Sequence, residues 1–330
     1  MKIQDSPQPS RRSIEVLGFL SCPGEGAALP YLSYACQRPH SFSPEGRLVA
    51  PPPLVSPAAL LEQGCAPLLL LSNLNEGGGF SAQLAHSLFA DKSAVDTLAA
   101  ELIAKLEAGG YYGLQLSFNY LFPFDREDYS AFAAKLSELL HRHGFLLSIE
   151  LAPWEGAGLG SALSAGQDYK ALGKAADRLS LMFCRWAHRF SPPQALAPFP
   201  ALHAALSHAL EHIPAEKLLL GISGIAYDWP LPWRQGDEAR PIPLQWAMEL
   251  ARSQRSSLRF DSAQHAPWFL YTDPESIRHI IFLEDAQSLG EKLSLADKFS
   301  LAGISLYPAD RPPSYLLQSI ERLHSTEKLL

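Results

Sequence analysis

GLQLSFN, residues 113–119, reads as a β-strand with two unlike faces. Alternation along a strand puts Gln115, Ser117 and Asn119 on one side and Leu114, Leu116 and Phe118 on the other. The apolar side suits packing under helices. Three polar side chains in succession are costly to bury unless they are hydrogen-bonded. That face is therefore either a self-satisfied polar layer or the floor of a polar cleft. None of the three ionises near neutral pH, so none can serve as an ordinary general acid.

Seven further apolar runs surround it: IEVLGFL (14–20), PYLSYAC (30–36), PLLLLSN (67–73), FLLSIEL (145–151), RLSLMFC (178–184), KLLLGIS (217–223) and AGISLY (302–307). Several are apolar throughout, the pattern of strands covered on both faces. Amphipathic helices lie between them. In 93–106 the apolar positions Val95, Leu98, Ala99, Leu102, Ile103 and Leu106 recur at helical spacing, with Ser93 as the expected N-cap and Gly109 and Gly110 as the stop. Tyr129, Phe132, Leu136 and Leu140 repeat the pattern in 127–143, and two more helices, 284–299 and 314–323, close the chain.

Eight strands alternating with helices argue an α/β fold, a (β/α)8 TIM barrel over 13–330; an open doubly wound sheet is the alternative. The stretch 225–282 breaks the rhythm with prolines, aromatics and short strand-like runs (SLRF, PWFLYT). It reads as a small α+β insertion between strand 7 and helix 7. Residues 1–12 read as a loose tail.

The chain of 330 residues is 47% hydrophobic and 18% charged, a globular composition long enough for a large core. A net charge of −7 with no Lys/Arg stripe argues against a nucleic-acid partner. No apolar run is long enough for a membrane span. The polar start, MKIQDSPQPSRR, has no stretch resembling a signal peptide, which leaves the location open. No metal or cofactor is expected. Cys22, Cys36, Cys65 and Cys184 lack metal-ligand spacing and read as reduced core thiols. NEGGGF (75–80) lacks the Lys-Ser/Thr of a phosphate cradle, and His141 and His143 suit a helix C-terminus.

YYGLQLSFN (111–119) resembles the signature of glycoside hydrolase family 18, in which Asp-Gly is followed by an inward Asp or Asn, an Asp and a Glu at alternate positions. The resemblance sets Tyr112 at the first Asp, Gln115 and Ser117 at the two inward positions and Asn119 at the catalytic Glu. Segments 30–53, 120–149, 212–232 (with YDWPLP) and 282–307 are similar to the branch containing bacterial spore-cortex glucosaminidases. The resemblance runs from about Ile14 to the C-terminus and implies a barrel with the α+β insertion.

It also implies a chemistry. Family 18 hydrolysis is substrate-assisted: the acetamido oxygen attacks the anomeric carbon, a Glu protonates the leaving oxygen and an Asp orients the acetamido group. Where relatives have Met-x-Tyr-Asp after the sixth strand, this chain has Met182, Phe183, Cys184 and Arg185. A tyrosine after the seventh strand falls on Ile225, and the tryptophan closing the eighth falls on Tyr307. The expectation is a catalytically degenerate member that binds or scaffolds on an amino-sugar glycan, of peptidoglycan, spore-cortex or chitin-like kind. One alternative is an active hydrolase with a displaced acid, Glu150 or Asp228. Another is a protein-interaction scaffold in a spore or envelope assembly. Glu150 interrupts an apolar strand, and Arg185 is its candidate partner. Asn119, Trp154, Trp186, Tyr227, Asp228, Trp229 and Tyr307 are the candidate sugar contacts; rim packing is the competing reading for the aromatics.

Overall fold

The computed structural model describes residues 12–21, 28–154, 156, 163–183, 186–310 and 312–329. In chain order the strands begin with β1 (Arg12–Phe19), β2 (Tyr34–Cys36) and a small hairpin of β3 (Ser41–Phe42) and β4 (Leu48–Val49). Next come β5 (Ala66–Ser72), β6 (Gly113–Ser117), β7 (Leu146–Leu151), β8 (Arg178–Leu181) and β9 (Leu218–Ser223). A separate group follows: β10 (Ile225–Leu231), β11 (Arg240–Pro243), β12 (Arg259–Asp261), β13 (Ala266–Thr272) and β14 (Arg278–Phe282). The chain ends with β15 (Gly303–Tyr307) and β16 (His324–Thr326).

Strands β1, β2, β5, β6, β7, β8, β9 and β15 pair in parallel in that order, and β15 pairs back onto β1. That closure excludes the open doubly wound sheet. Each of the eight apolar runs read from the sequence supplies one of these strands. Arg12, assigned above to the tail, belongs to β1; its guanidinium donates to the Ala296 carbonyl at 3.0 Å. Residues 1–11 lie outside the described residues.

Helices α1 (Pro57–Leu61), α2 (Ala82–Ala90), α3 (Lys92–Gly109), α4 (Arg126–Arg142), α5 (Tyr169–Ala175), α6 (Phe199–Leu210), α8 (Ala286–Lys298) and α9 (Ser314–Leu323) accompany the barrel, and α7 (Leu244–Ser253) lies in the insertion. In α3 the periodic residues Val95, Leu98, Leu102 and Leu106 are buried as expected. Its cap is Asp91 and not Ser93: the Asp91 carboxylate accepts from the Ser93 backbone N–H at 2.8 Å, so the helix starts earlier than expected. Gly110, at φ +67°, takes the left-handed conformation that ends it.

Barrel alternation splits the core in two. Leu114, Leu116 and Phe118 face outward into the helix layer, where Phe118 stacks on Tyr129 at 5.4 Å. Leu17, Phe19, Tyr34, Cys36, Leu68, Leu70, Met182 and Leu219 fill the inside. Strands approach closely where β6 begins: a Cβ on Gly113 would sit 2.3 Å from the Leu146 carbonyl oxygen.

The insertion is a five-stranded antiparallel sheet in the order β11-β10-β14-β13-β12, carrying α7. One of its faces packs on α7 through Ala226, Phe269 and Ile281. The other buries Tyr227, Trp229 and Phe282 with Ala187, Ala195 and Leu196 from the loop after β8.

Candidate functional site

A cavity of 790 Å³ opens where the barrel strands end. Phe19, Leu70, Ser72, Ser117, Glu150 and Tyr307 contribute to its wall from five different strands. This is where barrels of this kind place their sites: the strand C-termini and their loops form them. Met182, Ile225 and Tyr227 add apolar wall, and Phe80, Tyr120 and Phe190 form an aromatic rim with Arg38, His188 and Arg189. The Gly-rich loop brings Gly78 and Phe80 to that rim; its turn closes through Gly78 N–H to the Asn75 carbonyl at 2.9 Å.

The floor is polar because β6 and β7 turn their polar alternates inward. Ser117 Oγ donates to Glu150 Oε2 at 2.6 Å, and Asn119 Nδ2 donates to Glu150 Oε1 at 3.2 Å and to Ser117 Oγ at 3.3 Å. Ser117 and Glu150 reach the cavity wall; Asn119 is buried behind them. Among the described wall residues Glu150 is the one carboxylate.

Two side chains hold this floor from outside it. Asn73 accepts from the Asn119 backbone N–H at 3.0 Å and donates back to the Asn119 carbonyl at 2.9 Å. Gln167 donates to the Phe118 carbonyl at 3.0 Å and the Glu150 carbonyl at 3.3 Å, and accepts from Ala152 N–H at 2.9 Å. Together they fix the ends of β6 and β7. Tyr120, immediately after Asn119, has φ +55°, a left-handed backbone that costs a non-glycine residue about 1–2 kcal/mol.

The floor is incompletely satisfied. Among the described residues, Asn119 Oδ1, Gln115 Oε1, Ser148 Oγ and Ser180 Oγ are buried and meet no hydrogen-bond partner. Register places Gln115 beside Ser148 and Glu150 beside Ser180, so these atoms lie together beneath the cavity. Each such group costs about 1–3 kcal/mol. At the cavity's side, His40 is buried and its imidazole is held down to about 4, by burial first and then by the charge of Lys105.

The family model for glycosyl hydrolases family 18 matches residues 75–311. The chain belongs to that family. It is 33% identical over 296 residues to the cortical fragment-lytic enzyme of Bacillus subtilis (strain 168), covering 88% of this chain and 68% of that protein. Among solved structures it superposes on the Bacillus megaterium QM B1551 spore cortex-lytic enzyme SleL with a TM-score of 0.90 and 27% identity, over 98% of this chain and 77% of that one. It also matches the chitinase of Chromobacterium violaceum ATCC 12472 with a TM-score of 0.87 and 25% identity, over 94% of this chain and 98% of that one. The family 18 barrel is thus shared along nearly the whole chain.

The structure sorts the residues singled out from the sequence. Ser117, Glu150, Tyr227 and Tyr307 meet at the cavity. Cys184 and Arg185 lie outside the described residues. Four expected sugar contacts are placed elsewhere. Trp229 is fully buried, and its Nε1–H donates to the Ser191 carbonyl at 2.8 Å, which makes it a packing residue. Trp186 packs beside Phe183 at 5.8 Å and is not on the described wall. Trp154 stacks on His208 at 4.5 Å in a separate hollow.

Asp228 takes the opposite face of β10 from Tyr227 and Trp229. There it accepts from Tyr271 Oη at 2.7 Å and contacts His279 at 2.8 Å and Arg240 at 3.3 Å. This buried network keeps Asp228 away from the cavity and removes it as a displaced acid. His141 and His143 pair with Asp177 and Glu107 at the surface. Cys36 and Cys65 are buried free thiols; burial pushes Cys65 up to about 12.

Sequence reasoning missed the two clamps, Asn73 and Gln167, because each acts on strands distant in the chain. It also missed His208, Glu211 and His212, which among the described residues form the one group able to hold a metal ion. Their His-x-x-Glu-His spacing was the available signal.

Proposed function

We propose that this family 18 member binds an N-acetylglucosamine-containing glycan of the peptidoglycan or cortex kind in the barrel cavity, without the family's hydrolytic acid. The observation that carries the proposal is the buried Asn119–Ser117–Glu150 cluster under an aromatic-rimmed cavity. An asparagine donates hydrogen bonds but gives up no proton as an acid. Loss of general acid catalysis removes about 10²–10⁴ in rate, and serine at the acetamido-orienting position removes positioning as well.

Binding is supported by what the floor costs. Several unpartnered polar atoms beneath a cavity destabilise an inert scaffold, and such violations concentrate where function requires them. The aromatic rim supplies faces for sugar rings, while Ser117 and Glu150 supply hydrogen-bond groups. The similarity to a cortical fragment-lytic enzyme and to a chitinase points to amino-sugar polymers as the ligand class.

One observation favours a second reading. Glu150 is a carboxylate on the cavity wall, within reach of a bound glycan, and is the remaining candidate for a displaced acid. Against it, the Asn119 amide and the Ser117 hydroxyl both donate to its oxygens, which commits them as acceptors. Titration with N-acetylglucosamine oligomers and cortex fragments tests the first reading, with saturable binding expected; no heat at millimolar ligand would remove it. Turnover of a fluorogenic chitobioside that disappears in Glu150→Gln would establish the second.

A further inference from the structure

The clearest unassigned chemistry lies outside the cavity, at the end of α6. His208, Glu211 and His212 fall at i, i+3 and i+4. Helical geometry continues past Leu210, with Ile213 N–H donating to the Ala209 carbonyl at 2.9 Å and His212 N–H to the same oxygen at 3.0 Å. All three side chains therefore share one face. One ligand atom from each lies within 4.8 Å of the others.

We propose that His208, Glu211 and His212 bind a divalent transition ion of the zinc class. Two imidazoles and a carboxylate suit zinc, nickel and copper better than magnesium or calcium. Tetrahedral coordination at zinc distances sets donors about 3.3 Å apart. Glu211 and His212 are exposed, which leaves their side chains room to rotate toward that spacing. The last carbonyls of α6 add negative potential at the same point, which favours a cation.

The surroundings give the site a further part. A hollow of 440 Å³ adjoins it, lined by Arg126, Trp154, Asp168, Lys170, His208 and His212. The Trp154 indole lies flat against the His208 ring, at 17° between planes. Three protein ligands leave a coordination position facing that hollow, where water or a small anion completes the ion's shell. Trp154 follows β7, the strand that carries Glu150, so its stacking on His208 joins the end of α6 to the loop after that strand.

The test uses the intact chain, stripped with chelator and titrated with zinc chloride by calorimetry. One equivalent with a dissociation constant of about 10 µM is expected. His212→Gln and His208→Gln each weaken binding by at least about tenfold, and Glu211→Gln by less. Cobalt or nickel quenches tryptophan emission, and Trp154→Phe abolishes that quenching while zinc still binds. Circular dichroism of Glu211→Gln/His212→Gln, both at exposed positions, controls for folding. No binding at 1 mM zinc, or binding unchanged in both histidine variants, overturns the proposal.

Discussion

The two ends of the barrel interior each bury a carboxylate, and they treat it differently. At the closed end Glu15 on β1 is gripped by the Arg178 guanidinium on β8, which Glu15 holds firmly in its charged form. Tyr34, Tyr112, Leu146 and Leu329 pack around that end. At the open end Glu150 receives donors from Ser117 and Asn119 and looks onto a large cavity. One pair spans the barrel and is surrounded by apolar packing. The other cluster sits among unpartnered polar atoms. The contrast sets a carboxylate held in an ion pair against one that, in the proposed reading, faces a ligand.

The largest expected effect comes from breaking the closed end. Arg178→Met leaves Glu15 buried without its cation and should destabilise the fold by about 3–5 kcal/mol, while Glu15→Leu with Arg178→Met recovers much of the loss. Urea unfolding measures both. A loss below about 1 kcal/mol would mean that the pair behaves as a surface ion pair, and the architectural reading would go.

Beside the open end, His40 gives a pH signature of intermediate size. Its folded value of about 4 lies below that of an unfolded histidine, so the unfolded chain takes up the proton first as pH falls. Its contribution is complete above about pH 6.5 and is lost on the way down to about pH 4. Between pH 7.5 and pH 5 it amounts to about 2 kcal/mol, and His40→Leu should remove that part of the slope. Equal slopes for both proteins would place His40 in solvent instead of against β5.

The smallest effects sharpen the map of the cavity. Tyr307→Ala removes an exposed wall aromatic and should weaken glycan binding by about 1–2 kcal/mol without unfolding the barrel. Trp229→Phe loses the bond to Ser191 and should cost about 1 kcal/mol of stability with glycan affinity unchanged. A reversal of the two would put the sugar on the insertion side of β10.

Much of the fold was legible because fully covered strands leave continuous apolar runs, which local pattern detects. The inward set Gln115, Ser117 and Asn119 was legible for the same reason, since alternation needs only one strand. Depth was not. Trp229 and Tyr307 look alike in sequence, and only the loop around Ser191 buries the first. Alternation along YDW does separate Asp228 from its aromatic neighbours, but it does not tell which face meets the barrel. Asn73 grips a residue 46 positions away, a contact that no local pattern encodes. The reverse failure is His208, Glu211 and His212, whose signal is wholly local.

The central claim is that this cavity holds an amino-sugar glycan and leaves it whole. The most direct measurement incubates the protein with a defined N-acetylglucosamine oligomer at saturating concentration, then weighs the recovered oligomer by mass spectrometry beside a calorimetric titration of the same sample. The account predicts saturable binding and an oligomer recovered at its starting mass. Shortened products that vanish in Glu150→Gln would contradict it and make Glu150 the acid.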